Sequence, residues 1–261
     1  MQPTLHQKPT PKGFVLLHTL VLLLVVAALA GIILQKALAR AKDAQAELTV
    51  GRLELAAESG IHQALHELAS NVSNRGIAVG VTRHISIDGF QVEIAAQFSD
   101  GLVGLRSGRK EFVQKISIAA LGARGQMVAQ MLGSAATGSF SSYADVAQLS
   151  GVGMDGLACL LPYISLYIEN NTPVAEHSPP VVRNLLNSSV TEVRSVVQPD
   201  ANSVAGAVIR VQARATSDRY SSRHLVAEVL STGRLDTPFW VLDWQWLPVG
   251  GGFSLGSGGC G

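Results

Sequence analysis

The sequence predicts an α+β protein with a long N-terminal helix, a small antiparallel sheet and an α-helical insert. Three observations predict this class. An apolar run passes without a proline into a stretch of helical periodicity, strand-like alternation occurs near residue 90 and again after residue 206, and the segment between them has helical spacing. A chain of 261 residues is long enough for one extended element and one sizeable domain.

The N-terminal element begins with an apolar run of twenty-one residues from Phe14 to Leu34, interrupted in polarity only by His18 and Thr19. As a helix this run covers roughly 32 Å, which is enough to cross a hydrocarbon core. Residues 35–75 continue it with one apolar stripe, so we expect a single helix of about 55 residues. Gly51 and Gly60 each weaken a helix by about 1 kcal/mol relative to Ala without ending it. The stretch SNVSNRG at 70–76 is the expected stop.

The sheet is expected from residues 76–103 and 187–247. Residues 84–101 predict a hairpin that turns at Asp88-Gly89. Three further strands are predicted in AVIRVQARATS, RHLVAEVLST and FWVLDWQWL, with Ser217 and Asp218 between the first two. Residues 248–261 are expected to be a glycine-rich tail.

The insert is expected at 104–186. Helical spacing predicts helices over Lys110–Leu132 and Tyr143–Tyr167, and a shorter helix over 173–186 that Pro173 opens.

Composition limits the classes of function. Formal net charge is +1, so charge balance does not indicate a nucleic-acid partner. The two cysteines, Cys159 and Cys260, form no CxxC motif, which excludes zinc-finger and thioredoxin-like sites. A disulfide between Cys159 and Cys260 stays an open possibility, although their spacing in the sequence gives no support for it.

One segment of the insert matches two motifs. GVGMDG, with Gly151, Gly153 and Gly156, fits G-x-G-x-x-G, but a helix-like segment precedes it where a dinucleotide site needs a strand. The same segment resembles a helix-hairpin-helix turn. Residues 141–168 carry no Lys or Arg and include Asp145 and Asp155, so no nucleic-acid partner is expected.

Other local matches predict no chemistry. GFSLG (Gly252, Ser254, Gly256) fits a nucleophile elbow but lies in the glycine tail. His62 and His66, with Glu58 a turn earlier, lack a further ligand for a metal. Arg106, Arg109 and Lys110 are interpreted as a solvated loop. No nucleophile, base and oxyanion donor come together, so we expect no enzyme activity and no metal.

Three hypotheses explain the N-terminus. Ala28-Leu29-Ala30 before Gly31 fits a secretory cleavage site, but the apolar run continues beyond it. A plain anchor leaves the Lys12-Gly13-Phe14 junction unexplained. In the third, a leader of residues 1–13 stays on the cytoplasmic side, kept out of helix by Pro9, Pro11 and Gly13, and is removed after Gly13.

This basic leader ending in Gly13, followed by Phe14 and an apolar helix, resembles a type IV prepilin-like (class III) signal. The resemblance implies that a prepilin peptidase cuts after Gly13 and methylates Phe14. Downstream, LELAAESGIHQALHEL (53–68) is similar to the helix end of minor pilins. FSSYADVAQLSGVGMDGLACLLPYISLYIENNTPVAE (140–176) is similar to the insert of the K-type minor pseudopilins of type II secretion, the GspK family.

The resemblance implies a pilin-like fold and a role at the tip of a periplasmic pseudopilus, in its assembly and in protein export. It implies a single-pass protein of the bacterial inner membrane with its globular part in the periplasm. The implied partners are I- and J-type minor pseudopilins, the major pseudopilin and prepilin peptidase, with the secretin and the exported proteins as further contacts. Two alternatives stay open: a PilX-like minor pilin of a type IV pilus, and a secreted hydrolase or binding protein cleaved after Ala30.

The fifth mature position, counted from Phe14, is His18, where major pilins carry Glu. In major pilins that Glu pairs with the N-terminus of the neighbouring subunit. K-type pseudopilins lack the Glu, so the resemblance implies that His18 belongs to a subunit with no further subunit above it in the filament. The resemblance also implies calcium in the globular part. Six or more oxygen ligands are typical of a calcium site, and Asp145, Asp155, Glu169, Asn171 and Glu176 do not define such a set, so no cofactor is assigned.

Overall fold

The computed structural model describes residues 12–70, 79–134, 140–187, 205–217, 220–234 and 236–248. Residues 1–11 of the leader, residues 71–76 of the expected helix stop, Asp218, Cys260 and the GFSLG segment lie outside these residues. The chain divides into two compact units, Met1–Thr49 and Val50–Gly261. In its described part, the first unit consists of the N-terminal portion of one helix.

The predicted α+β class is confirmed. Helix α1 spans Lys12–Ala69, close to the expected length. A five-stranded antiparallel sheet follows, formed by β1 (Thr82–Ile87), β2 (Phe90–Phe98), β5 (Val208–Ser217), β6 (Tyr220–Ser231) and β7 (Phe239–Leu247). Its strand order is β1-β2-β5-β6-β7. β2 and β5 are neighbours in the sheet, so the described helices between them are inserted between two adjacent strands.

The first hairpin turns where the sequence predicted. Asp88 has φ 50° and Gly89 has φ 82°. A two-residue turn with both φ values positive matches the twist of antiparallel strands, and Asp-Gly is a favoured pair for it. The turn sets the register of β1 on β2, with Ile87 opposite Phe90.

The insert contains more breaks than its periodicity predicted. The helix expected over 110–132 is divided into α2 (Lys110–Leu121) and α3 (Gly125–Ser134). Gly122, with φ 56° and ψ −128°, lies between them, and a residue with a positive φ cannot continue a right-handed α-helix.

The helix expected over 143–167 is likewise divided, into α4 (Tyr143–Leu149) and α5 (Gly153–Leu160). After α5 the chain forms β4 (Ile164–Ser165), which pairs in parallel with β3 (Val103–Gly104). The last helix, α6 (Pro180–Asn187), begins at Pro180 and not at Pro173. Pro180 is its first residue, where a missing N–H removes no helical hydrogen bond.

The two faces of the sheet have different cores. One face packs against the end of α1, where Leu53, Ala57, Ile61 and Ala64 are fully buried. A second hydrophobic cluster lies within the insert and includes Val226 and Leu247 of the sheet. Strand residues therefore alternate between a core shared with α1 and a face toward the insert.

Candidate membrane anchor and the buried polar cluster

The candidate processing site lies at the start of α1. Lys12, Gly13 and Phe14 belong to its first turn. We expected Gly13 to lie outside the helix with the leader, and the helix instead begins one residue before it. N–H groups in a first turn need no intrahelical partner, so helix formation can start there after Pro11. Cleavage after Gly13 and methylation of Phe14 remain predictions.

The apolar part of α1 is exposed over its described length. The large apolar side chains from Leu16 to Leu34 each keep between 50% and 72% of their surface accessible. Thr19 donates its hydroxyl hydrogen to the carbonyl of Leu16 at 2.9 Å, which satisfies one of the two polar side chains in this run. The other, His18, is also exposed. Among the described residues, one helix is long and apolar enough to cross a membrane, and it is this one. It is compatible with a single-pass anchor.

The sequence did not predict a buried ion pair between two strands of the sheet, on the face that the insert covers. Arg210 of β5 and Glu228 of β6 are opposite each other in the register, with 0% and 1% of their side chains exposed. The Arg210 guanidinium donates to a carboxylate oxygen of Glu228 at 2.8 Å. It also donates to the Tyr143 hydroxyl at 2.8 Å and to the Leu161 and Ile164 carbonyls.

Glu228 accepts further hydrogen bonds from the insert and from Ser99, which directly follows β2. Tyr143 donates to its second carboxylate oxygen at 2.7 Å, and Ser99 and Ser165 donate to the first, each at 3.0 Å. Burial raises the pKa of Tyr143 well above its usual value, and Glu228 raises it further. Burial opposes the charge on Arg210, but Glu228 and Tyr143 outweigh it and raise the Arg210 pKa. The cluster is closed to solvent, and its hydrogen bonds join β5 and β6 to Tyr143, Leu161, Ile164 and Ser165 of the insert.

A surface cleft of about 540 Å³ lies where the insert meets the sheet. Arg106, Tyr167 and Glu169 line it beside apolar residues of β5, β6 and β7. Arg106, which we interpreted as part of a solvated loop, donates twice to the Phe140 carbonyl, at 2.7 and 3.0 Å. Its guanidinium also lies 5.9 Å from the centre of the Tyr167 ring. Arg106 thus joins two parts of the insert, although it is an exposed residue, as Arg109 and Lys110 are.

The other candidates do not converge on a site. The ring of His62 lies 5.8 Å from that of Trp244. Within the described ranges, no group of three or more His, Cys, Asp or Glu side chains could hold a metal ion. Asp145 forms a capping box with Ser142 at the start of α4. Hydrogen bonds from Ser141 and Ser142 lower the pKa of Asp145.

Two glycines of GVGMDG, Gly151 and Gly153, lie at the turn between α4 and α5, and Gly156 lies within α5. Gly151 has φ 64° and Gly153 has φ 69°. A helix, not a strand, precedes them, so the arrangement is a helix-hairpin-helix turn and not a dinucleotide-binding loop.

Comparisons with known proteins found a likeness in structure but none in sequence. No family model matches the sequence, and no curated protein is significantly similar to it. Among solved structures, the chain is similar to a chain of the GspK–GspI–GspJ complex from the enterotoxigenic Escherichia coli type 2 secretion system. Identity is 11%, the TM-score is 0.46, and the alignment covers 77% of this chain and 98% of that chain.

Proposed function

We propose that this chain is a minor pseudopilin of a bacterial type II secretion system. In this proposal residues 14–34 anchor it in the inner membrane, and its globular part lies in the periplasm. It joins other minor pseudopilins at the tip of the pseudopilus and promotes pseudopilus assembly and protein export. Its work is mechanical and organisational, and we propose no catalytic activity and no cofactor.

The observation that carries the proposal is the continuity of α1. The helix runs from Lys12 to Ala69, through Ala30 and Gly31 without a break. An ordinary secretory signal cut after Ala30 needs an extended segment at the cleavage site. Continuity instead supports cleavage within the first turn of the helix, after Gly13, which leaves the apolar run attached to the folded part.

An exposed apolar helix also supports a role in assembly. In a membrane its surface contacts lipid, and in a filament it packs against the helices of I-type, J-type and major pseudopilins. His18 at the fifth mature position supports a place for this subunit at the end of the filament. No Glu is present at that position to pair with the N-terminus of a neighbouring subunit. The helical insert supports the same position, because a bulky insert would clash with neighbours in the middle of a filament.

Mass spectrometry of the mature N-terminus tests the proposal. The chain is expressed in a Gram-negative host with a prepilin peptidase and in the same host without it. We expect N-methylated Phe14 in the first host and the intact leader in the second, and Gly13→Ala should block maturation. A mature chain that begins at Gly31 would overturn the proposal in favour of a secreted protein. Rescue of piliation, but not of secretion, in deletion strains would indicate a type IV minor pilin.

A further inference from the structure

The part of α1 that follows the apolar run carries three cations. Lys36, Arg40 and Lys42 are exposed. None of the ion pairs in the described part of the chain involves them. The first acidic residue of the whole sequence is Asp43. Lys36 to Lys42 is therefore a short segment with three positive charges and no acidic residue, and Asp43 follows it directly. We call it the cationic collar.

The collar lies at a defined distance from the apolar run. Lys36, Arg40 and Lys42 follow Leu34 by about 3, 9 and 12 Å of helix rise. The interfacial layer of a bilayer is roughly 5–8 Å thick on each side of the hydrocarbon core. Helical side chains tilt toward the helix N-terminus, here toward the apolar run. Long Lys and Arg side chains near the end of a span extend to the polar interface in this way.

The arrangement around the helix favours lipid over a protein partner. Arg40 is rotated about 40° from Lys36, whereas Lys42 is rotated about 120° in the opposite direction. A single partner helix contacts one face and would leave at least one cation without a counter-charge. Lipid headgroups surround a spanning helix on all sides and can reach all three.

We propose that the cationic collar binds the phosphate groups of anionic phospholipids at the membrane surface. This inference rests on the proposed single-pass anchor. The bound headgroups hold α1 at a fixed depth and oppose its withdrawal from the bilayer. Each cation near an anionic surface strengthens attraction by about fivefold. The collar as a whole is therefore worth on the order of a hundredfold in relative affinity for anionic lipid at low salt.

The test uses the purified full-length chain in vesicles of phosphatidylcholine with phosphatidylglycerol. Electron spin resonance of spin-labelled lipids measures the relative association constant of the two lipids with the protein. We expect a strong preference for phosphatidylglycerol that falls at 0.5 M salt. The triple variant Lys36→Gln, Arg40→Gln, Lys42→Gln should lose most of that preference.

A matched control removes the same charge elsewhere. Arg109→Gln, Lys110→Gln, Arg124→Gln changes three exposed cations of the insert and should keep the preference. The proposal is overturned if the collar variant keeps the preference, or if the control loses it equally. If the collar variant keeps the preference and also no longer co-purifies with other pseudopilins, the collar is a protein contact instead of a lipid contact. Lipid preference does not depend on cleavage after Gly13, so failure here is distinguishable from failure of the pseudopilin proposal.

Discussion

At the residue scale, attachment of the insert depends on the pair formed by Arg210 and Glu228. Glu228→Gln leaves the Arg210 charge without a counter-ion in a site that is closed to water. Removing one partner of such a pair lowers the free energy of unfolding by about 3–5 kcal/mol. We expect a loss of this size in urea unfolding of the detergent-solubilised chain. Tryptophan fluorescence can follow it, because all three tryptophans lie on β7.

A control and a double variant separate the pair from general damage. Asp236→Asn removes a partner of Arg234, and both side chains there are more than 60% exposed. Its effect should stay below about 1 kcal/mol. Arg210→Met with Glu228→Leu removes both buried charges and should destabilise less than Glu228→Gln alone. A double variant that is no more stable than the single variant would contradict this account.

His224 provides a prediction about pH. Burial and the Arg214 guanidinium lower the pKa of His224 to about 4. The unfolded chain, with a histidine pKa near 6.5, binds more protons than the folded chain between about pH 6.5 and pH 4. This residue's contribution to stability is therefore complete above pH 6.5 and is lost as the pH falls, by up to about 3 kcal/mol.

Urea unfolding at a series of pH values measures this contribution. In His224→Gln, the loss of unfolding free energy between pH 7 and pH 4.5 should be smaller than in the unchanged chain. His84→Gln serves as the control, because His84 is an exposed residue of β1 in the same sheet. An equal pH dependence in the unchanged chain and in His224→Gln would show that His224 is not responsible.

At the scale of elements, two glycines of α1 have different roles. A Cβ atom on Gly60 would lie 2.9 Å from Val92 Cγ1 and 3.3 Å from both Ala213 Cβ and Ile94 Cδ1. At Gly51 it would meet nothing within 4 Å. Gly60 therefore allows close packing of helix on sheet, whereas Gly51 only lowers helix propensity.

The same substitution should have opposite effects at the two positions. Gly51→Leu gains helix propensity and should raise the free energy of unfolding by up to about 1 kcal/mol. Gly60→Leu overpacks the contact with β2 and β5 and should lower it by about 1–3 kcal/mol. Thermal unfolding of both variants, monitored by circular dichroism, checks the sign. A stabilised Gly60→Leu variant would show that the helix does not pack closely there.

The elements that could be predicted are those with local signals. The length of α1, the Asp88-Gly89 hairpin and the last three strands follow from periodicity and turn residues. The division at Gly122 could not be predicted, because a helix interior tolerates Gly at a cost of about 1 kcal/mol. The pairing of β3 with β4 could not be predicted either, since two-residue strands carry no alternation.

The buried pair was missed for a different reason. Arg210 and Glu228 alternate with core residues such as Ile209 and Val229, and this pattern predicts a solvent-facing position. The insert covers that face, and its residues are distant in sequence from β5 and β6, so the strand pattern carries no sign of it. The available signal was that Arg210 and Glu228 each stand directly between two apolar residues of their strand. At the N-terminus, Gly13, Phe14 and His18 came from the motif, and the structure adds only where the helix begins.

At the scale of the whole molecule, the charges on the two sides of the apolar run bear on its orientation. The leader carries Lys8 and Lys12, whereas the cationic collar carries three cations. Basic residues close to a span tend to stay in the cytoplasm. The collar therefore opposes the proposed orientation, in which it faces the periplasm, and the leader must offset this tendency before it is removed.

Removing the leader charges should reveal this opposition. Protease added to spheroplasts digests only those chains whose globular part has reached the periplasm. We expect Lys8→Gln with Lys12→Gln to reduce the digested fraction severalfold, because the collar then dominates the charge bias. Adding Lys36→Gln, Arg40→Gln and Lys42→Gln to that variant should restore export, since neither flank is then strongly basic. The control with Arg109, Lys110 and Arg124 changed to Gln should not restore it, because these residues are far from the span in sequence. Unchanged export of the leader variant would mean that charge bias does not orient this chain.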